Sequence, residues 1–290
     1  MAVSSWGLNV PDRRLVELVA RDLNTNPGLV EKDWHVTRAI GVLAALDHGG
    51  AVPAFGGGTS LSKGWQLIKR FSEDIDFKVS MPAAVSRSRA KKDRSNYRQH
   101  ILAALTDAGF TLAGEPLKRD ESSFFSADLL YPSLFDTGPG LRPHLRVEMS
   151  LSGAALPPIA RPISSLIAMA QRHPPEVAAF LCVDPVETAA DKLSALAWRV
   201  QARRRGSDGD DPTIVRHVHD LAALKSSVVA SHDFARLVRN AMAEDEGRGG
   251  HSVVGTCRAV RAHAGQARRR SALGCRIPGL CGAGVLCGIR

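Results

Sequence analysis

The chain has no apolar run long enough to cross a bilayer. Its longest apolar stretches, residues 40–46 and 177–183, fall well short of the roughly 20 residues that a helical span needs. An export signal is also missing from the first fifteen residues: Asp12, Arg13 and Arg14 interrupt them, and no apolar segment leads to a small-residue cleavage site. A cytoplasmic location with no membrane partner is therefore the expectation. Cysteine is scarce, five in 290 residues; Cys182 sits alone in an apolar run, and Cys257, Cys275, Cys281 and Cys287 form no CxxC pair. Neither a zinc framework nor a disulfide framework follows from that spacing. Acids are outnumbered, 29 against 38 Lys and Arg, for a net charge of +9. Such a surface attracts polyanions such as nucleic acid and nucleotides. Solubility alone accounts for the same surplus.

What is present describes an ordinary soluble chain, 44% hydrophobic and 23% charged, long enough for two lobes. Residues 11–23 and 27–46 each open on proline, which suits a first helical position, and carry apolar residues at helical spacing. A short apolar strand, 51–55, runs into Gly56, Gly57, Gly58, Thr59 and Ser60, then into a helix to about Arg70. A strand over 74–79 follows, then a basic helix over 82–109 ended by Gly109. Segments 110–117, 122–131 and 141–151 alternate as strands. The proline-rich stretch 152–185, with strand-like pieces at 166–169 and 178–183, marks a lobe boundary, and helices over 185–205, 212–224 and 233–242 make a second lobe. The expected class is α+β, divided into 1–155, 156–242 and 243–290. The last of these loses apolar periodicity. Residues 240–290 hold eight arginines and three acids, +5 of the chain's +9, and read either as an RNA-gripping tail or as the product of a shifted reading frame.

The informative segment is FGGGTSLSKGWQLIKRFSEDIDFKV, residues 55–79. Its first half is a strand, a glycine turn and a helix start bearing hydroxyls, which lets backbone N–H groups approach a phosphate. An ordinary turn with Thr59 as N-cap explains the same residues. Its second half places Asp74 and Asp76 one residue apart in a strand, so both carboxylates leave one face while Ile75 and Phe77 point to the core. Adjacent carboxylates repel unless a cation lies between them, and Mg²⁺, with Mn²⁺ as the alternative, is the hard ion that suits them. The other reading makes them the wet face of an edge strand, to which Glu73 also belongs. A second ion, which activates the attacking hydroxyl, calls for a further carboxylate. Glu148 in LRVEMSLSG sits on the polar side of its strand; a surface Glu paired with Arg146 is the rival reading, and Asp128 is the weaker contender.

GGGTSLSKGW followed by SEDIDF resembles the nucleotidyltransferase signature. Together with EKDWHVTRAI, LRVEMS, PVETAADKLSALAWR and RHVHDLAAL, in that order over about residues 27–225, the chain resembles the AbiEii/AbiGii toxins of type IV toxin–antitoxin systems. That resemblance implies a polymerase β-like catalytic lobe beside a mostly helical C-terminal lobe, an NTP co-substrate with Mg²⁺, and transfer of NMP to RNA, for some members a tRNA 3′ end. It also implies a winged-helix antitoxin partner. By the same resemblance Gly57, Gly58, Thr59 and Ser60 hold the triphosphate, and Lys63 reaches it. Asp74 and Asp76 bind metal, joined by Glu148 on the strand reading above, while Lys192 neutralises phosphate and Asp220 orients Lys192 or another basic group. A solvated lysine and an intrahelical Asp are the plain alternatives for the last two. Asp191 is assigned to the Arg199 side of that surface, His217 and His219 to solvent or capping, Arg203, Arg204 and Arg205 to an RNA backbone or a solvated helix end, and Trp65 and Trp198 to the core. A non-catalytic binding module, and transfer to a protein or small molecule, are the competing functions.

Overall fold

A computed structural model describes residues 10–119, 123–138, 140–202 and 214–249. Helix α1 (Arg13–Asp22) starts where the Asp12 carboxylate accepts from Leu15 N, and α2 (Pro27–Ala45) where Asn26 accepts from Gly28 N. Strand β1 (Val52–Gly56) leads directly into α3 (Gly57–Lys63). This helix ends well before Arg70. Gly64 caps it, where a Cβ would lie 2.9 Å from Cys182 Sγ, and Gln66 turns the chain at φ 55°. The chain continues through β2 (Asp74–Ser80), α4 (Arg87–Asp107), β3 (Thr111–Leu112), β4 (Leu117–Arg119), β5 (Phe124–Leu130), β6 (Leu145–Ser150), β7 (Ile159–Ile163), α5 (Leu166–Gln171) and β8 (Val177–Cys182). Helices α6 (Pro185–Ala202), α7 (Val215–Ala223), α8 (Lys225–Ala230) and α9 (Phe234–Gly249) close the described part.

Among the described residues the strands form one mixed sheet in the order β3-β5-β6-β2-β1-β8-β7, with β4 paired to β5. Strand β2 pairs antiparallel with β1 and parallel with β6. Its alternation is complete: Ile75, Phe77 and Val79 are buried, while Asp74, Asp76 and Lys78 occupy the opposite face. The buried side joins Val147 and Met149 of β6 in a core with Val36, Ala39, Ile40 and Leu43 of α2 and Ile101 and Leu105 of α4. The polar side faces a cleft whose far wall is built by α6, α7 and α9. Truncating one such core side chain, for example Ile75→Ala, costs roughly 2 to 5 kcal/mol.

The α+β class is the one expected, but two boundaries shift. Strands β7 and β8 belong to the main sheet, β8 pairing with β1, so residues 156–183 extend the sheet and do not open the helical lobe. The strand expected at 166–169 is helix α5. Its cap is Ser165, whose hydroxyl accepts from Ala168 N, and its Ile167 packs on Val16 and Val19; a short apolar run has no period that separates strand from helix. Helix α9 passes residue 242 and continues to Gly249. Residues 250–290 and Arg203, Arg204 and Arg205, on which the expectations of a basic tail and an RNA contact fall, lie outside the described residues.

Helix α2 carries charge into the interior. Glu31, Lys32, Asp33 and Arg38 are all buried, each bonded to a different segment. Glu31 accepts from Ser133 Oγ and the backbone N–H groups of Leu134 and Phe135. Lys32 pairs with Glu73, Asp33 with Lys63, and Arg38 donates to the Ala108 carbonyl. Buried charges persist only when paired and hydrogen-bonded, so these residues fix where the segments leading to the cleft sit.

Candidate active site

The glycine turn touches the paired acids. Gly56 lies opposite Asp76 in the β1–β2 register. Gly57 has φ +67°, and a Cβ there would fall into the Asp76 carboxylate, 2.8 Å from its Cγ. Glycine is required twice over, by conformation and by contact. A Cβ on Gly58 would lie 2.8 Å from both Arg70 Nη2 and Ser72 Oγ. The Thr59 hydroxyl donates to the backbone carbonyl of Asp74, locking the helix start to the acid strand.

Three of the proposed phosphate-binding side chains point elsewhere. Thr59 and Ser60 are buried, and neither lines the cleft; what this turn presents to the cleft comes from Gly56, Gly57 and Gly58. Lys63 does not reach toward a triphosphate. Its ammonium pairs with Asp33 at 2.6 Å and donates to Thr37 Oγ1 at 2.8 Å and the Ser164 carbonyl at 3.2 Å. The reason is rotational: Lys63 lies in the last turn of α3, on the side facing α2 rather than the polar face of the sheet.

Asp74, Asp76 and Glu148 are brought together by strand pairing, with Asp76 opposite Glu148 and Asp74 opposite Arg146. Burial, then Glu148 and Asp74, push the Asp76 carboxyl up to about 8. Burial, then Asp74, raise Glu148 above the usual carboxylate range. Asp76 and Glu148 thus resist ionisation, through burial and through the neighbouring carboxylates. Arg142 salt-bridges Asp74. Arg146 is not the partner of Glu148, as the rival reading had it; it binds Asp128 through two bonds of 2.7 and 2.9 Å, and Asp128 is thereby committed to Arg146. In this conformation no group of three or more Asp, Glu, His or Cys among the described residues is gathered as an ion's ligand set, Asp74 being turned onto Arg142. By donor type the three carboxylates fit a hard divalent cation.

The far wall is organised by two buried carboxylates. Asp220 is inaccessible to solvent and accepts from Arg70 Nε at 2.7 Å, Arg70 Nη2 at 2.5 Å and Lys192 Nζ at 2.8 Å. Burial pushes its carboxyl up, but the bonds from Arg70 and Lys192 outweigh that and hold it at about 2. Glu187 accepts from Lys78 Nζ at 2.7 Å and from the backbone N–H groups of Ala155 and Leu156, tying α6 to β2. Lys78 also bonds Asp191 at 2.7 Å, so Asp191 belongs to this tie and not to the Arg199 side. His217 lines the cleft and is lowered to about 4 by burial, then by Lys192 and Arg199; His219 is exposed. Glu73 is buried against Lys32, not on the wet face. Trp65 packs on the core, whereas Trp198 is 36% exposed.

The cleft, about 700 Å³, is therefore lined by a glycine turn, by Asp74, Asp76 and Glu148 with Asp191, Glu244 and Asp245 on the far wall, and by the cations Arg70, Lys78, Arg142, Arg146, Lys192, Arg199 and Arg216. Arg70, Lys78, Arg142 and Glu187 were missed from sequence. Arg70 and Lys78 flank the SEDIDF motif and could have been found there. Arg142 and Glu187 carry no local signal.

No curated protein sequence matches the chain. Among solved structures, MenT4, a nucleotidyltransferase toxin from Mycobacterium tuberculosis H37Rv, is similar at 22% identity with a TM-score of 0.41. That match covers 63% of this chain and 59% of MenT4. The antibiotic-resistance factor ANT(2'')-Ia is similar at 14% identity and a TM-score of 0.39, over 81% of this chain and 99% of that protein. Both likenesses are too distant to inform the site. The decisive match is to a family model, described as nucleotidyl transferase AbiEii toxin, type IV TA system, over residues 42–272. It starts just after EKDWHVTRAI has ended and runs past residue 225, where the sequence reading ended the likeness. The matched range spans the glycine turn, the acid strands and both helices of the Lys192–Asp220 pair, and the chain belongs to the AbiEii nucleotidyltransferase toxin family of type IV toxin–antitoxin systems.

Proposed function

We propose that this protein transfers a nucleoside monophosphate from an NTP to the 3′ end of an RNA, a tRNA, and so blocks translation until its antitoxin acts. The observation that carries the reading is the close approach of Gly57 to Asp76, with the glycine turn and the acid cluster lining one cleft. Asp74, Asp76 and Glu148 would hold Mg²⁺ or Mn²⁺, which supplies Lewis-acid polarisation of the phosphoryl oxygens and a more acidic attacking hydroxyl. Gly57 and Gly58 present backbone to the cleft, against which the phosphates would lie. Arg70 and Lys192, set by Asp220, neutralise charge on the transferring phosphate, the main requirement of phosphoryl chemistry. Glu148, beside the ion, assists the acceptor hydroxyl in losing its proton. Lys63 has no place in this scheme.

Incubating the protein with total RNA and each α-labelled NTP in turn tests the reading. Label in RNA of tRNA size is expected, and Asp76→Ala should abolish it while leaving the fold intact. Label in the protein or small-molecule fraction would reassign the acceptor, and labelling retained by Asp76→Ala would remove the mechanism.

A further inference from the structure

We propose that Arg142 is an exchangeable cation of the acid cluster: it occupies Asp74 until a divalent ion binds, and its guanidinium then passes to the phosphates of the incoming triphosphate. The proposal rests on the reading of Asp74, Asp76 and Glu148 as the ion's ligands.

Three observations support it. First, the backbone of Arg142 is clamped on both sides by groups other than those its side chain binds, the guanidinium pairing with Asp74. The Arg142 backbone N–H donates to Glu73 Oε2 at 3.3 Å, and its carbonyl accepts from Lys32 Nζ at 2.6 Å, Lys32 itself being fully buried. The guanidinium can move without the loop moving. Second, the Arg142–Asp74 pair is open to water, with side-chain exposures of 37% and 34%, whereas the neighbouring Lys32–Glu73 pair has 0% and 7%. An ion pair about one-third exposed contributes little net energy, so its loss costs little. Third, Arg142 lines the same cleft as Gly57, Gly58 and Arg70, so phosphates seated on the turn lie within its cavity. A guanidinium fork matches carboxylate and phosphate oxygens equally well, and the exchange therefore replaces one charge-assisted pair with another. Arg146 stands opposite Asp74 in the sheet but is held by Asp128.

The test measures two affinities of the full chain: Mn²⁺ alone, followed by electron paramagnetic resonance of the free ion, and inorganic tripolyphosphate in saturating Mg²⁺, followed by calorimetry. Arg142→Ala should bind Mn²⁺ about three- to tenfold more tightly, the size expected for releasing an ion pair about one-third exposed, and bind tripolyphosphate more weakly by a similar factor. Arg146→Ala is the control for the general field of a nearby arginine and should change Mn²⁺ affinity less. Equal gains in the two variants, an unchanged Mn²⁺ affinity in Arg142→Ala, or loss of both affinities would each overturn the exchange. Mn²⁺ binding that Asp76→Asn leaves intact would remove the ion-site reading itself, a separate and recognisable failure.

Discussion

Asp220→Asn removes one charge from a carboxylate that solvent does not reach and keeps its volume. The wild-type group receives two bonds from Arg70 and one from Lys192. A carboxyl moved from 3.8 to about 2 corresponds to roughly 2 to 3 kcal/mol, at about 1.4 kcal/mol per pH decade. Removing one member of a buried pair costs roughly 3 to 5 kcal/mol when its partners stay dry. Arg70 and Lys192 keep side-chain exposures of 19% and 10% and regain part of their hydration from the cleft. The expected loss is therefore about 3 kcal/mol, or roughly 6 to 12 °C in melting temperature for a domain of this size class. Urea denaturation followed by circular dichroism at pH 7 measures it, with an unchanged slope required for the comparison. The pH dependence carries a sign. Because the folded-state value is depressed, the contribution is fully present above 3.8 and is lost as pH falls toward about 2. Wild type and variant should thus converge in that window. A difference below about 0.5 kcal/mol at pH 7, the scatter of an ordinary surface substitution, would refute the argument, as would a large difference that persists unchanged at low pH.

Two further predictions concern the acid side of the cleft. Gly57→Ala must pay for a left-handed backbone, about 1 to 2 kcal/mol, and displace the Asp76 carboxylate as well; nucleotide transfer should fall at least about a hundredfold, measured as labelled product per minute, while activity close to wild type would show that the contact is dispensable. Asp76, raised to about 8, binds a proton in the folded state that the unfolded state has released above about 3.8. Ion-free stability should therefore decline as pH rises from about 4 to about 8, and ion binding should tighten over the upper part of that window with release of close to one proton per ion. Calorimetry of Mn²⁺ binding in buffers of different ionisation enthalpy counts that proton, and a count of zero at pH 7 would contradict it.

The acid pair and the glycine turn were legible in the sequence because their chemistry is local. Alternation in a strand puts Asp74 and Asp76 on one face whatever surrounds them, and three consecutive glycines before a helix announce a tight approach of backbone. The place of Glu148 on the polar side of its strand was legible in the same way, from the period of that strand, and the strand register sets it opposite Asp76. Lys63 was misplaced because a lysine in the last turn of a short helix has no sequence mark for the direction it takes; the buried Asp33 of α2 decides that. Glu73 was read with the wet face of the acid strand, yet it is buried in an ion pair with Lys32 of α2.

The order of motifs and the periodicity of each element were determined by the sequence alone: an α+β chain, an acid strand behind a glycine turn, and a lysine helix followed by an HDL helix. Tertiary structure decided which charges meet. Asp220 joins Arg70 across 150 positions, Glu187 joins Lys78 across 109, and Arg142 reaches Asp74 across 68. Charged side chains in a low-dielectric cleft choose partners by distance in space and by the cost of remaining unpaired, and neither quantity is written in the spacing of residues along a chain.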